Sequence, residues 1–345
     1  VKAVTQRSLA TGSANFRNVT VFYGTDRQRT GNADPAGFYL GDRGPLEFGT
    51  CEVTIPVSHQ VGELETAGTF EKPDPEKHII LLSVTPMLKS DFASGLEAKV
   101  EADSAHEVLI FIHGYNVSFE NAARRTAQMA ADLRFDGAPV MYSWPSQASL
   151  SAYPVDEANI RWTVPHLQQF LDLVAERSGA SRVHLIAHSM GNRAVSEVLL
   201  RYATVAGQNP GTAPQFNQIV LVAPDVDADV FRNEIAPRIT SLGERITLYA
   251  SANDKALKVS KGVHGHPRAG DLSAGVIITD NVEMIDASNV DTSLFSAIDL
   301  GHSYFAQQPT VIDDLSLLLK GKSPQQRRLT IRNSSGGVYW EVQPD

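Results

Sequence analysis

Arg182-Val183-His184-Leu185-Ile186-Ala187-His188-Ser189-Met190-Gly191 is the stretch on which the fold turns. An apolar run reads as a buried strand, passes straight into a serine, and gives way to helical spacing over 191–206. A serine at such a junction sits on a turn so sharp that its hydroxyl projects at the top of the sheet as a nucleophile. Residues two places to either side must be small, because a side chain there collides with the turn. Gly191 meets that demand. Ala187 carries one extra methyl, so the match to G-x-S-x-G is imperfect at its first position. A bare A-x-S-x-G string is common by chance. The strand before it and the helix after it are what give it weight.

The surrounding pattern is regular. Continuous apolar runs at 107–112, 139–144, 183–188, 218–223 and 245–250 read as strands, with one more short strand within 276–285. Between them, helical spacing marks 118–135, 163–178, 191–206 and 230–239, and a closing helix is expected over 309–319. On the 118–135 helix Phe119, Ala122, Ala123, Ala127, Ala130 and Leu133 share one side, and Ser118 is placed to cap it. Gly179 is the expected stop of the 163–178 helix. Apolar strands alternating with helices predict an α/β protein with a mostly parallel sheet covered on both faces. Weaker strand candidates come earlier, at 19–23, 49–55 and 78–84, with a short helix at 92–101; an antiparallel edge is expected there. The stretch 24–44, rich in Gly, Asp, Asn and Pro, reads as a loop. Residues 1–18 are expected to be a loose arm, 19–320 the main domain, and 321–345 a tail with a possible hairpin packed on it.

Composition narrows the function classes. The chain has 345 residues, 42% of them apolar and 20% charged, enough for a sizeable core. Thirty basic residues against 39 acidic give a net charge of -9, which argues against a nucleic-acid partner. No apolar run is long enough to span a membrane. Cys51 stands alone, so neither an intrachain disulfide nor a cysteine-based zinc site is expected. Near-absence of cysteine fits a cytoplasmic protein and fits equally an exported bacterial protein whose leader has been removed.

Ligands of an open α/β sheet sit beyond the carboxyl ends of its strands. Those ends read His113-Gly114-Tyr115-Asn116, Pro145-Ser146, Ser189, Pro224-Asp225-Val226-Asp227 and Ser251-Ala252-Asn253-Asp254, with Asp299-Leu300-Gly301-His302-Ser303-Tyr304 after the last. At these positions the chain resembles the α/β-hydrolase superfamily: the elbow at 187–191, the His113-Gly114 turn, and acid then histidine in the order Ser189, Asp254, His302. The resemblance spans about residues 19–319. More narrowly, Phe22-Tyr-Gly-Thr-Asp-Arg27, Phe111-Ile-His-Gly-Tyr-Asn116, Ser143-Trp-Pro-Ser146, Ala187-His-Ser-Met-Gly-Asn-Arg193 and Ala223-Pro-Asp-Val-Asp227 look like a bacterial esterase/lipase-like branch of poorly characterised function.

The resemblance implies an α/β-hydrolase fold and a serine hydrolase of carboxylic esters working through an acyl-serine intermediate. Ser189 is the expected nucleophile and His302 its base. Asp254 is the expected acid, because it follows the strand where the superfamily usually carries it; Asp225, one strand earlier, is the alternative. Backbone N–H groups of Met190 and Tyr115 are the expected oxyanion donors. His113 and His188 are expected to bond and pack rather than react. No cofactor and no metal are expected. Asp225, Asp227 and Asp229 lack the spacing of a calcium loop, and His264-Gly-His266 has no third ligand. Two segments could shape the substrate pocket, 147–161 and 255–281, and neither holds a long amphipathic lid helix, so a small lid or none is expected. Short to medium acyl esters, as small-molecule substrates, are favoured. An acyltransferase, thioesterase or amidase would use the same triad, and a non-catalytic scaffold would keep the fold without the chemistry.

Overall fold

The computed structural model describes residues 5–6, 15–68, 70–290 and 302–344. Contacts divide the chain into two compact units, Val1–Arg182 and Val183–Asp345.

The first unit holds β1 (Thr5–Gln6), β2 (Phe16–Arg29), β3 (Tyr39–Pro56), β4 (Leu81–Met87), α1 (Lys89–Glu101), β5 (Glu107–Ile112), α2 (Phe119–Asp132), β6 (Ala138–Ser143) and α3 (Tyr153–Arg177). Its strands lie in the order β1-β4-β3-β2-β6-β5. Pairing is antiparallel from β1 to β2 and parallel from β2 through β6 to β5. The antiparallel part therefore falls at the start of the chain, where the alternating strands predicted it. The arm expected over 1–18 lies mostly outside the described residues, but Phe16, Arg17 and Asn18 already belong to β2, opposite Pro56, Ile55 and Thr54.

Residues 24–44 are not a loop. β2 and β3 carry the ladder through them, leaving only 30–38 as a connection, in which Asp34 caps a single turn at Pro35–Gly37. Gly24 is there for close approach rather than for turning: a Cβ would lie 2.3 Å from the Phe170 ring on α3. The polar residues that mimic a loop are buried partners. Thr25 donates to Ser143 O (2.6 Å), and the register of β2 against β3 shifts on both sides of Arg27. Asp26 accepts from Thr163 and His166 on α3.

Local capping explains the helices. Ser118 accepts the Asn121 N–H at the start of α2, and Phe119, Ala122, Ala123 and Ala127 bury against Tyr23, Tyr39 and Met141. The Tyr23–Phe119 edge contact (centroids 5.1 Å apart) adds about 0.5–1.5 kcal/mol beyond its area. α3 starts ten residues before the predicted 163, because Pro154 rather than Pro165 occupies the first turn. The expected pocket segment 147–161 is therefore largely helix.

His59 clips the 57–65 connection to α2. Its Nδ1 lies 2.9 Å from both Glu65 oxygens and its Nε2 2.7 Å from Asp132. Burial alone would lower its pKa, but the hydrogen bonds and charges of Asp132 and Glu65 outweigh it and raise the pKa to about 9. A pKa raised above the unfolded value of about 6.5 stabilises fully below that value and is lost as pH climbs through about 9. His59→Gln is thus expected to lower the melting temperature most near pH 6, with the gap to wild type closing by about pH 9.5. Thermal melts of both proteins across that range measure it; a constant gap would refute the clip's titration.

The second unit holds β7 (Arg182–His188), α4 (Gly191–Gln208), β8 (Phe216–Val222), α5 (Ala228–Val230), α6 (Ala236–Ile239), β9 (Gly243–Ala250), α7 (Lys255–His264), β10 (Val282–Asp286), α8 (Pro309–Leu319), β11 (Leu329–Ser334) and β12 (Gly337–Val342). Strand order is β7-β8-β9-β10-β12-β11, parallel except for the β11–β12 hairpin. Arg327, fully buried, ties the segment before that hairpin to α8 through Asp314 (2.8 and 2.9 Å) and to Tyr249 on β9 (3.2 Å).

Candidate active site

The junction of β7 and α4 is a strained turn. Ser189 has φ +52°, the left-handed region that costs a non-glycine residue energy. It is held there from several sides. Its N–H donates to Val222 O on β8 (3.0 Å), and its C=O accepts from the Asp225 N–H (3.3 Å) and the Asn192 N–H (3.0 Å). Asn192 Nδ2 lies 3.1 Å from each of the Ala187, Ser189 and Val222 oxygens, bracketing the turn from inside the first turn of α4. Ala187 and Met190 are fully buried and Ser189 is nearly so. The extra methyl at Ala187 is accommodated within this packing.

Asp254 and His302 meet. His302 Nδ1 lies 2.6 Å from Asp254 Oδ2, and the carboxylate is completely buried. Asp254 does two jobs with two oxygens: Oδ1 accepts the Leu257 N–H (3.0 Å) and so caps α7. That helix stops at Gly265, φ +77°. Residues 255–264, the start of the second segment expected to shape the pocket, form this ten-residue helix. A carboxylate facing Nδ1 requires the proton on Nδ1, which leaves Nε2 as the lone-pair nitrogen of the neutral ring. His302 also returns to the elbow, because His188 Nε2 donates to the His302 carbonyl (3.0 Å). The residues at 299–301, quoted with His302 in the sequence, lie outside the described residues.

Asp225 is engaged elsewhere. Its Oδ1 accepts from Arg268 Nε (2.9 Å) and Ser260 Oγ (2.5 Å), and its Oδ2 from Arg193 Nη2 (2.9 Å). Arg193 Nε also donates to the Asp225 carbonyl (2.7 Å). The 267–270 segment packs tightly beside it: a Cβ on Gly270 would lie 2.5 Å from Ala223 backbone. This ion cluster binds the first turn of α4, the end of β8 and α7 to one another. Sequence reading missed Arg193, Ser260 and Arg268; the only signal was the pairing of two motifs that end in Arg193 and contain Asp225.

In the first unit, Arg27 is the hub missed by reading 24–44 as a loop. It donates to Ser143 Oγ (2.9 Å), Ser146 O (2.9 Å) and Val117 O (2.7 Å), and meets His113 Nε2 at 3.3 Å. Three of the quoted motifs thus converge on one guanidinium. His113 Nδ1 faces Gly114 O (2.8 Å) and so carries the proton. Burial, then the Arg27 charge, pull His113 down to about 3, so it is neutral at physiological pH. Tyr115 lies in this unit, on the turn after β5; its hydroxyl donates to Leu150 O and its ring packs edge-on to Tyr153. Met190 lies in the second unit, ahead of α4.

Among the described residues, no group of three or more His, Cys, Asp or Glu is placed to hold a metal. Asp227 instead caps α5, accepting the Asp229 and Val230 N–H groups (2.9 and 3.1 Å). No helix among the described residues is long and apolar enough to cross a membrane.

No curated protein matches the chain. Similar solved structures include an alpha-beta serine hydrolase homologue from Coxiella burnetii, 16% identical, covering 63% of this chain and 85% of its own, with a TM-score of 0.33. Another is a "predicted CIB-like hydrolase" from Thermoplasma acidophilum, 16% identical over 64% of this chain and 89% of its own, with a TM-score of 0.35. The family model described as "Alpha/beta hydrolase of unknown function (DUF900)" matches residues 89–320, from α1 through the elbow and the His302–Asp254 pair to α8, and the chain belongs to that family.

Proposed function

We propose that this α/β hydrolase cleaves carboxylic esters through an acyl-serine intermediate on Ser189. The observation that carries the reading is the buried Asp254–His302 pair, tied through His188 to a serine at positive φ. In this reading Ser189 Oγ attacks the ester carbonyl and its proton passes to His302 Nε2. The imidazolium that forms is stabilised by Asp254. Collapse of the tetrahedral intermediate releases the alcohol, which takes that proton. Water then repeats the sequence on the acyl-enzyme and releases the acid. The oxyanion donors are assigned to the backbone N–H of Met190 and, by the general layout of the fold, of Tyr115. Short to medium acyl chains are the proposed substrates.

A fluorophosphonate probe tests the nucleophile directly. The folded protein should be labelled at Ser189, located by peptide mapping, and the heat-unfolded protein should not. A folded protein that takes no label would favour the non-catalytic alternative. A panel of acetyl to long-chain p-nitrophenyl esters, with matched thioesters and amides, should peak on the shorter esters. A peak on thioesters or amides would replace the substrate class and keep the nucleophile.

A further inference from the structure

We infer that His188, the residue before the nucleophile, is a positioning residue for His302; the inference rests on the serine-hydrolase reading above. The hydrogen bond from Nδ1 to Asp254 fixes one atom of the His302 ring. A swing about that contact would displace Nε2, the atom that must meet the serine proton. His188 opposes that swing in two ways. Its Nε2 lies 3.0 Å from the His302 carbonyl oxygen. A carbonyl only accepts, so this nitrogen carries the proton and anchors the His302 backbone. The two imidazoles also pack, with centroids 4.5 Å apart at 46°. His188 is itself backed by Phe305, at 4.7 Å and 35°, and both are buried.

The chain logic is economical. His188 ends β7 and Ser189 follows it, so whatever fixes the elbow fixes His188, and His188 fixes the base. Nucleophile and base are thereby referenced to the same strand end. The imidazole at this position serves as a donor and a flat packing surface at once, which aliphatic residues cannot do.

His188→Phe keeps the ring and removes the donor. His188→Gln restores a donor with similar reach, and His188→Asn offers one that falls short. Misplacing a reacting group by about 1 Å costs on the order of 10²-fold. His188→Phe should therefore lower kcat on p-nitrophenyl butyrate by about 10- to 100-fold with KM within about twofold, and His188→Gln should recover most of it. The far-downfield proton resonance of His302 Nδ1–H, read without turnover, should be sharp in wild type and His188→Gln and broadened in His188→Phe and His188→Asn. Should His188→Phe fail to fold, the Gln and Asn pair carries the same comparison. Unchanged kcat and an unchanged resonance in both His188→Phe and His188→Asn would overturn the positioning role. A wild type that takes no fluorophosphonate yet shows the resonance, lost in His188→Asn, would sink the hydrolase reading and leave the contact between the two histidines standing.

Discussion

Ser189→Ala should reduce ester hydrolysis by about 10⁴-fold or more, and Asp254→Asn should reduce kcat/KM by about 10³–10⁴-fold while leaving the fold nearly as stable as wild type. The second half of that expectation follows from the two oxygens of Asp254. Oδ1 caps α7 through the Leu257 N–H, and Oδ2 faces His302 Nδ1. Asparagine is as good a helix cap as aspartate, so the carboxamide oxygen can keep the cap. Its NH₂ must then face Nδ1, where two donors cannot pair. His302 responds by moving its proton to Nε2, the nitrogen that should accept the serine proton. The variant thus isolates the tautomer from the helix. Asp254→Ala removes both functions and should add about 1 kcal/mol of destabilisation from the lost cap. Steady-state kinetics beside thermal melts separate the two effects. An Asp254→Asn enzyme with near wild-type kcat/KM would remove Asp254 from the reaction.

Much of this site was legible in the chain, and the reasons differ by residue. The elbow is readable because strand, serine and glycine are consecutive, and the turn's sterics act within five residues. Ser118 and the apolar face of α2 are readable for the same reason: capping and helical spacing are local. Residues 24–44 misled because composition cannot distinguish a turn-forming glycine from one pressed against a ring. Only the tertiary approach of Phe170 to Gly24 decides it. Arg27 looked like a loop charge, yet its partners at 113, 117, 143 and 146 lie some ninety to a hundred and twenty positions away. α7 did leave local signals, Asp254 before Leu257 and Gly265 behind His264, that were masked by a run of lysines and glycines. His188 was readable as a packing residue, but its bond to the His302 backbone carbonyl left no signal, because a backbone acceptor is the same at every residue.

Asp225 left a misleading signal, and the second large effect is expected there, in stability. Sequence order makes Asp225 a candidate acid, but its carboxylate takes Arg193, Arg268 and Ser260 in a cluster where the Asp225 and Arg268 side chains are 3% and 6% exposed. Removing one partner of a buried ion pair strands the other charge and costs about 3–5 kcal/mol. Asp225→Ala should therefore lower the urea midpoint sharply, far more than Asp254→Asn. Most of that cost is the unpaired guanidinium rather than the lost attraction, so Asp225→Ala in an Arg268→Met background should cost clearly less than in wild type. Activity should follow a different order. Asp225 N–H holds the Ser189 carbonyl through the backbone, which the substitution keeps, so kcat/KM measured well below the unfolding transition should fall far less than for Asp254→Asn. The two carboxylates are thereby assigned opposite signatures, one kinetic and one thermodynamic. A stable Asp225→Asn protein with a 10³-fold loss of kcat/KM, beside an active Asp254→Asn, would exchange their roles.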